Sequence, residues 1–208
     1  PKLGAYAIKG ALENAHLDKS LVDQVIMGNV LSAGLGQAPA RQASIYSGLS
    51  NNVDCLTINK MCGSGIQSIM LADDILKSNP NKIIIAGGME NMSLSPHYLL
   101  NSRQGTKLGD AKIVDGMITD GLWDIYNDKH MGSCAEMCAK KYKISREEQD
   151  NYAIRSYKLS QESILSKRFK NEIIPVEIGT KEGTIIVNED EEPGRVSFKK
   201  LKKLKPVF

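Results

Sequence analysis

Residues 53–78, VDCLTINKMCGSGIQSIMLADDILKS, join two kinds of hydrophobic pattern in one stretch. Residues 53–59 are rich in strand-forming side chains, whereas residues 64–78 repeat apolar residues at helical spacing. The apolar stripe of that helical segment consists of Ile66, Ile69, Met70 and Leu76. The stretch therefore predicts a β-strand that leads into a helix, with Cys62 and a Gly-Ser-Gly segment at the turn between them.

The same alternation of strand and helix patterns continues on both sides of this stretch. QVIMGNV (24–30) is a short apolar run, and KIIIAGGME (82–90) is a buried-type strand that ends in a glycine pair. Residues 2–17 and 38–49 have the spacing of helices. Strands that alternate with helices predict a layered α/β unit with a largely parallel sheet.

The texture of the sequence changes near residue 92. Residues 93–130 contain scattered Gly, Asp, Asn and Ser with little sustained period. Residues 144–169 predict a long helix with Ser145 as N-cap and Glu148 completing a capping box. IIPVEI and TIIV predict a pair of strands joined by a glycine-containing turn. We therefore expect an α/β domain over residues 1–92 and a second, irregular domain over residues 93–208.

Composition and charge exclude several classes of protein. The chain has 27 basic and 24 acidic residues, a net charge of +3 and 41% hydrophobic residues. This balance is ordinary for a globular protein, and we expect no nucleic acid as a partner. No apolar stretch approaches the roughly 18 to 20 residues of a membrane span, and residues 1–10 lack a signal or transit-peptide pattern. The four cysteines form no C-x-x-C pair, which predicts free thiols in a reducing compartment.

Cys62 has two interpretations from the residues alone. A thiolate at the start of a helix is stabilised by the helix dipole and by backbone N–H groups, which are also able to receive a developing oxyanion. Gly63 and Gly65 allow a substrate to approach the backbone closely. An inert cysteine beside a tight turn remains the alternative, because spacing does not identify which histidine, if any, activates the thiol. The chain has His16, His97 and His130.

Several other features have a structural explanation as well as a functional one. The G-L-G of LSAGLGQAP (31–39) lacks a complete phosphate-loop motif, and Glu90 is either a catalytic or a hydrogen-bonded structural carboxylate. Met89, Met92, Met117 and Met131 are interpreted as core filler rather than a cofactor site.

Two clusters in the second half also leave alternatives open. Cys134 and Cys138 lie one helical turn apart with His130 nearby, but their spacing favours two packed small residues over a metal site. The five lysines of FKKLKKLKPVF (198–208) form either a solvated face or an anion site.

Four long stretches together carry a resemblance to a known family. Their order and length resemble thiolases, over essentially the whole chain. The stretches are VIMGNVLSAGLGQAPARQASIYSGL, NKMCGSGIQSIMLA, IIIAGGMENMS and DGLWDIYNDKHMGSCAEMCAKKYKISREEQDNYAIRSY. Within the family, DKHMGSCAE and EDEEPGRVSFKKLKKLKPVF are most similar to short-chain thiolases of the mitochondrial type. The resemblance implies the thiolase fold, a layered αβαβα arrangement, here as its N-terminal half plus a loop subdomain.

The resemblance also implies a reaction. The family nucleophile falls on Cys62, in the matching context N-K-x-C-x-S-G. Cys62 is then expected to accept an acetyl group from acetyl-CoA, with its backbone N–H forming part of an oxyanion hole. Transfer to a second acetyl-CoA gives acetoacetyl-CoA, and thiolysis is the reverse. No covalent cofactor is implied, since coenzyme A thioesters are the substrates.

Further residues match family positions that contact coenzyme A. Leu122, His130 and Met131 match the acyl and pantetheine end of the pocket. Tyr157 matches a coenzyme A contact that also lies at a potassium site. The segment that holds the nucleotide part is matched by Arg195, Val196, Ser197 and Lys200. For Lys200 alone, the resemblance favours the anion site over a solvated lysine.

The family's G-H-P histidine, its C-x-G-G-G cysteine and its N-A-S segment have no counterpart in these residues, nor has its opening strand. We therefore expect a fragment whose Cys62 lacks a base, with little turnover alone and an exposed apolar face. Family habit implies a homotetramer, assembled through residues 100–112, and a mitochondrial location. A bacterial cytoplasmic protein, a broader 3-ketoacyl-CoA thiolase and a non-catalytic coenzyme A-binding chain are the alternatives.

Overall fold

The three strands predicted around Cys62 form one parallel sheet in the structure, a computed structural model that describes residues 1–208. They are β1 (Gln24–Gly28), β2 (Asp54–Ile58) and β3 (Ile84–Gly88), in the order β2-β1-β3. The register pairs Gly28 with Ile58 on one side and with Gly88 on the other. The carboxyl ends of all three strands therefore meet at one edge of the sheet.

Three helices accompany this sheet and confirm the predicted α/β class. They are α1 (Lys2–Asn14), α2 (Pro39–Tyr46) and α3 (Ser64–Ser78). Helices α1 and α2 pack against each other, and the core next to them is apolar. That core consists of Ile8, Val22, Val25, Met27, Ala40, Ala43, Leu49 and Val53. Helix α3 packs against β1 and β3.

Helix α3 meets the sheet through small residues rather than through its apolar stripe. Its buried positions are Ser64, Ser68 and Ala72, and the Ser68 hydroxyl donates a hydrogen bond to the Gly87 carbonyl at 2.7 Å. Ile66 is 62% exposed, and Ile69 and Met70 are also exposed. The apolar stripe seen in the sequence therefore faces outward. That another part of the complete protein covers it stays a prediction.

The chain divides into two units after Trp123. Residues 93–123, which the sequence places in the second domain, belong by their contacts to the first unit, so the compact units do not follow the predicted boundary at 92. These residues form an antiparallel pair, β4 (His97–Leu99) and β5 (Ile113–Asp115), followed by a π-helical turn (Ile118–Leu122). Two-residue strands, β6 (Trp123–Asp124) and β7 (Lys129–His130), come next in the chain.

The second unit, residues 124–208, contains the long helix and the strand pair that the sequence predicts. Its helices are α4 (Met131–Tyr142), α5 (Arg146–Leu165), α6 (Glu192–Arg195) and α7 (Phe198–Leu201), and its hairpin consists of β8 (Val176–Thr180) and β9 (Gly183–Val187). The capping box of α5 is confirmed. The Ser145 hydroxyl accepts from the Glu148 N–H at 3.2 Å, and the Glu148 carboxylate accepts from the Ser145 N–H at 2.7 Å.

No helix in the structure combines the length and the apolar character that crossing a membrane requires.

Candidate active site

Cys62 lies in the turn between β2 and α3, two residues before the helix begins, and its thiol group is exposed. Side chains hold this turn on both sides of the cysteine. The Asn59 side-chain oxygen accepts from the Met61 N–H at 2.9 Å. The Ser64 hydroxyl accepts from the Lys60 N–H at 2.8 Å and donates to the Met61 carbonyl at 2.6 Å. The position of Cys62 is therefore set by local hydrogen bonds.

Met61, the residue before the cysteine, has left-handed backbone geometry with φ of 49°. A side chain other than glycine in this region costs on the order of 1–3 kcal/mol and persists only where neighbouring contacts hold it. The hydrogen bonds of Asn59 and Ser64 supply those contacts here. Such strain is concentrated at functional sites, so it favours the nucleophile interpretation of Cys62 over that of an inert thiol.

Glycines bring the start of α3 onto the ends of β1 and β3. A Cβ atom at Gly28 would lie 2.5 Å from the carbonyl carbon of Ser64, and one at Gly88 would lie 3.3 Å from the Cα of Gly65. Only glycine at position 28 permits this approach. A Cβ at Gly65 would meet nothing within 4 Å, so that side of the backbone is open.

A cavity of about 400 Å³ lies at this edge of the sheet. Cys62 and Leu122 both line it, so the structure brings together two residues that the resemblance assigns to the reaction. Strand β1 is central: the chain runs from β1 to β2 on one side and then crosses through α3 to β3 on the other side of β1. Ligands of open α/β sheets bind in such a crevice, outside the carboxyl ends of the strands. The location of the cavity thus follows from topology alone.

Methionines form much of the cavity wall, which the sequence analysis missed. Met61, Met89, Met92 and Met117 line the cavity. Met89 also packs against the core, as predicted, whereas Met92 and Met117 are predicted to be core filler and form cavity wall instead. Their sequence spacing contains no signal of this, because they come from different loops. Flexible thioether side chains suit a pocket that must fit around an apolar group.

Glu90 is the other ionisable side chain in the cavity wall, and it is hydrogen-bonded to the opposite loop. Its carboxylate oxygens accept from the Asn29 side-chain amide at 2.9 Å, the Val30 N–H at 2.9 Å and the Leu31 N–H at 3.0 Å. These contacts favour the structural one of the two roles that the sequence leaves open for Glu90. Neither histidine of the first unit, His16 or His97, lines the cavity.

In the second unit, Tyr157 lies on α5 and faces α6. Its hydroxyl donates to the Glu192 carboxylate at 2.9 Å, and this hydrogen bond raises the pKa of Tyr157. The Gln161 side chain donates to the Pro193 carbonyl at 2.7 Å, which ties the same two helices together. Tyr157 is therefore close in space to the start of the 195–200 segment that the resemblance assigns to the nucleotide part of coenzyme A.

That segment runs across the end of α6 into α7. Arg195 ends α6 and forms an exposed ion pair with Glu191, 2.8 Å between Nη2 and Oε2. Val196 and Ser197 connect the two helices, and the N–H of Lys200 donates to the Ser197 carbonyl at 2.9 Å. An exposed ion pair of this kind contributes little to stability, so the Arg195 guanidinium is free to exchange partners.

His130 and Met131 lie at the start of α4. The Nδ1 atom of His130 accepts from the Gly132 N–H at 3.0 Å, which leaves Nε2 as the protonated nitrogen of the neutral ring. The Phe208 ring stacks on His130, with 4.7 Å between ring centroids. A Cβ at Gly132 would lie 2.2 Å from the Phe208 ring, so a larger residue there would push the ring aside. Sequence reasoning missed Phe208, because nothing in the pattern links the two positions.

No group of three or more His, Cys, Asp or Glu side chains is arranged to hold a metal ion. Cys134 instead lies 3.8 Å from an oxygen of Asp124. For potassium, the phenol of Tyr157 and the carboxylate of Glu192 offer oxygen ligands, but hard cations take about six or more. These two residues do not form a complete potassium site by themselves.

Comparisons with known proteins agree with this geometry. The family description "Thiolase, N-terminal domain" matches residues 1–208. Acetyl-CoA acetyltransferase 1 of Arabidopsis thaliana is 49% identical over 100% of this chain and 50% of its own length. The mitochondrial acetyl-CoA acetyltransferase of Rattus norvegicus is 49% identical over 100% of this chain and 49% of its own.

A solved structure is also similar. The Acat5 thiolase from Ascaris suum, crystallised in complex with coenzyme A, superimposes with a TM-score of 0.90 at 36% identity, over 99% of this chain and 52% of that one. The chain spans about half the length of the curated relatives it matches. The parallel sheet, the turn that carries Cys62 and the match over every residue lead to one conclusion: the chain belongs to the thiolase family.

Proposed function

We propose that this chain supplies the nucleophile of an acetyl-CoA C-acetyltransferase, which condenses two acetyl-CoA into acetoacetyl-CoA and catalyses the reverse thiolysis. The observation that carries the proposal is the exposed Cys62 in the wall of an apolar cavity, in the turn before α3. The names of the similar proteins, acetyl-CoA acetyltransferases of plant and animal origin, support this substrate class.

In the first half-reaction, the Cys62 thiolate attacks the carbonyl carbon of acetyl-CoA. The carbon–sulfur bond to coenzyme A breaks, the coenzyme A thiolate leaves and takes up a proton, and acetyl-Cys62 remains. Cys62 lies just before the start of α3, and its backbone N–H would donate to the oxyanion that develops on the carbonyl oxygen.

In the second half-reaction, a base removes an α-proton from another acetyl-CoA. The resulting carbanion attacks the carbonyl carbon of acetyl-Cys62, the Cys62 thiolate leaves, and acetoacetyl-CoA forms. Of the groups in the cavity wall, Cys62 is the leaving group and Glu90 is engaged by three donors, so the base comes from outside this wall.

The second unit is proposed to hold coenzyme A. Arg195, Ser197 and Lys200 would bind the nucleotide phosphates as charged and hydroxyl donors. Val196 lies within the same segment, and Tyr157 on the neighbouring helix would contact the carrier and potassium. His130 and Met131 would contact the acyl and pantetheine end, and the resemblance assigns the same role to Leu122 of the first unit. A homotetramer, a mitochondrial location and roles in ketone-body, isoleucine and fatty-acid metabolism complete the proposal.

Intact-protein mass spectrometry tests the nucleophile directly. The complete natural polypeptide is exposed to acetyl-CoA, and we expect one acetyl group on Cys62. Cys62→Ser should abolish the modification, whereas Cys138→Ser, which changes another exposed cysteine, should leave it unchanged. Acetylation elsewhere, or none at all while coenzyme A still binds, would support a non-catalytic binding chain instead.

Two further measurements address the finer parts of the proposal. Thiolysis of 3-ketoacyl-CoA substrates of increasing length should be fastest with acetoacetyl-CoA, and an equal rate with longer chains would point to a broader thiolase. Activity in potassium buffer should exceed that in sodium buffer, and Tyr157→Phe should remove the difference. Equal activities in both buffers would contradict the potassium part alone.

A further inference from the structure

The loop that follows β1 is held in place from across the cavity by one carboxylate. Glu90 follows β3, and its Oε1 atom accepts from the Asn29 amide and the Leu31 N–H, while its Oε2 atom accepts from the Val30 N–H. Val30, Leu31 and Glu90 all line the cavity that contains Cys62. A single side chain therefore joins two parts of the same cavity wall.

We infer that Glu90 is a positioning residue for acyl transfer to Cys62, an inference that rests on the proposed function. Its carboxylate holds residues 29–31 at a fixed distance from the turn of Cys62, so that the cavity keeps the shape the thioester requires. Catalytic geometry depends on such supporting contacts, because a displacement of about 1 Å is able to cost about 100-fold in rate.

The contacts explain why a carboxylate is needed at this position. Val30 and Leu31 present two successive N–H groups, and Asn29 adds a third donor. A carboxylate has acceptor sites on both oxygens and no hydrogen, so it satisfies all three donors. A glutamine of the same shape has only one acceptor oxygen, and its NH₂ group would face at least one of these N–H groups.

Asn29 supports the same interpretation. Its amide nitrogen donates to both the Met89 carbonyl and the Glu90 carboxylate, which fixes the orientation of the side chain. Its side-chain oxygen is buried and has no hydrogen-bond partner, and Asn29 as a whole is only 3% exposed. A buried polar atom without a partner is unfavourable and asks for an explanation. Asn29 is placed to donate to residues 89 and 90 rather than to accept.

A backbone hydrogen bond between the ends of β1 and β3 is also consistent with this role. The Met89 N–H donates to the Gly28 carbonyl at 2.9 Å, so the segments after β1 and β3 begin side by side. The Glu90 carboxylate extends this pairing beyond the end of the sheet, where the ladder of backbone hydrogen bonds has stopped. Without it, the N–H groups of Val30 and Leu31 would turn to water in the cavity.

The test compares Glu90→Gln with Glu13→Gln in the complete natural polypeptide. Glu13 is an exposed carboxylate at the end of α1 and serves as the matched control. We expect Glu90→Gln to slow acetylation of Cys62 by acetyl-CoA by about 10- to 100-fold. Alkylation of Cys62 by iodoacetamide, a small reagent that does not need the shaped wall, should keep its rate and its pH dependence. Glu13→Gln should match the wild type in both reactions.

Amide hydrogen exchange provides a second readout that does not depend on activity. In Glu90→Gln the amides of Val30 and Leu31 should exchange faster, while those of β1 keep their protection. The double variant Asn29→Asp with Glu90→Gln restores a hydrogen bond between the two side chains but not both contacts with the N–H groups of Val30 and Leu31. Acetylation of Cys62 should therefore remain slow in this variant. Full recovery in the double variant would overturn the role of the backbone contacts.

The remaining outcomes separate the inference from the function on which it rests. Acetylation of Glu90→Gln at the wild-type rate would overturn the inference and leave the proposed function intact. An equal loss of acetylation and alkylation, with a shifted pH profile, would make Glu90 a base and also overturn it. Failure of the wild type itself to acetylate Cys62 would refute the proposed function, whatever the exchange data show.

Discussion

The two units of the chain differ in what holds them together. In the first unit the sheet and its helices enclose a core, with Val25 and Ile26 completely buried. In the second unit only Pro193 and Leu201 are buried, although its helices and hairpin are well formed. Local signals, such as the capping box of α5, specify the second unit's elements. The difference teaches that the buried core belongs to the first unit, whereas most side chains of the second unit are exposed or half-buried.

The largest expected effect is the loss of a core side chain in the first unit. Ile26→Ala should lower the free energy of unfolding by about 2–5 kcal/mol, because a fully buried side chain leaves a cavity. Ile178→Ala in the second unit, where the side chain is 47% exposed, should change it by no more than about 0.5 kcal/mol. Urea unfolding of the 208-residue chain measures both. Equal costs would break the comparison, since they would reveal a core in the second unit.

A matched pair of glycines gives the next largest effect. Gly28→Ala should cost about 1–3 kcal/mol, because its Cβ would lie 2.5 Å from the backbone of Ser64. Gly179→Ala in β8 meets nothing within 4 Å and should be close to neutral. Thermal unfolding measures the stabilities, and iodoacetamide labelling shows whether Cys62 has moved. A neutral Gly28→Ala would mean that the start of α3 shifts freely over the sheet.

The capping box of α5 gives a smaller, pH-dependent effect. The hydrogen bond from the Ser145 backbone N–H, followed by that from its side chain, holds the pKa of Glu148 below its usual value of 4.5. A lowered folded pKa contributes stability above the unfolded value, and this is lost as the pH falls through the folded value. Glu148→Gln should therefore lower the stability slightly at neutral pH and not at all well below pH 4.5.

The control for this prediction is Glu147→Gln, in the same helical turn. It removes a charge near the helix start but no capping contact, so its cost at neutral pH should be smaller. Urea unfolding monitored by circular dichroism at several pH values measures both variants. A cost of Glu148→Gln that persists at low pH would show that the carboxylate charge is not what caps the helix.

The smallest effects concern two tyrosine–carboxylate pairs, one in each unit. Tyr98 donates to Asp120 at 2.6 Å, which raises the pKa of Tyr98 to about 12, and Tyr157 donates to Glu192. The raised pKa contributes stability below the unfolded value near 10 that is lost as the pH rises through about 12. Both pairs are solvent-accessible, so Tyr98→Phe and Tyr157→Phe should each lower the stability only slightly.

Titration of the phenols by ultraviolet absorbance checks the first pair. Asp120→Asn should bring the pKa of Tyr98 back towards 10.0, the usual value. The two units should not differ here, because both hydrogen bonds are local and exposed. A large cost for Tyr157→Phe alone would show that the second unit depends on the contact between α5 and α6.

The sequence predicted those parts of the fold that depend on local pattern. The three strands, their helices and the capping box of Ser145 and Glu148 follow from periodicity and capping rules, and all are confirmed. The boundary at residue 92 stays a prediction, and the strands β4 and β5 beyond it were not predicted, because they are only three residues long and leave no sustained period to detect. A strand this short is recognised only by the strand with which it pairs, and the sequence does not show that pairing.

The same distinction applies to the candidate site. Cys62 was identified from its turn and its family motif, both of which are continuous in sequence. The contacts of Glu90 with residues 29–31, the methionine wall and the stacking of Phe208 on His130 join distant residues. Periodicity and spacing report only on neighbours along the chain, so these contacts required the structure.

The glycine at the end of β1 has a consequence for how the Cys62 sulfur is positioned. Gly28 has no side chain, and a Cβ atom there would lie 2.5 Å from the Ser64 carbonyl carbon and 2.7 Å from the Gly65 nitrogen, so the backbone at the start of α3 packs directly on β1. At this contact there is no side-chain rotamer whose change would move the turn of Cys62. A shift of the start of α3 along β1 would displace the turn of Cys62, so the packing of helix on strand also determines where the reactive sulfur lies.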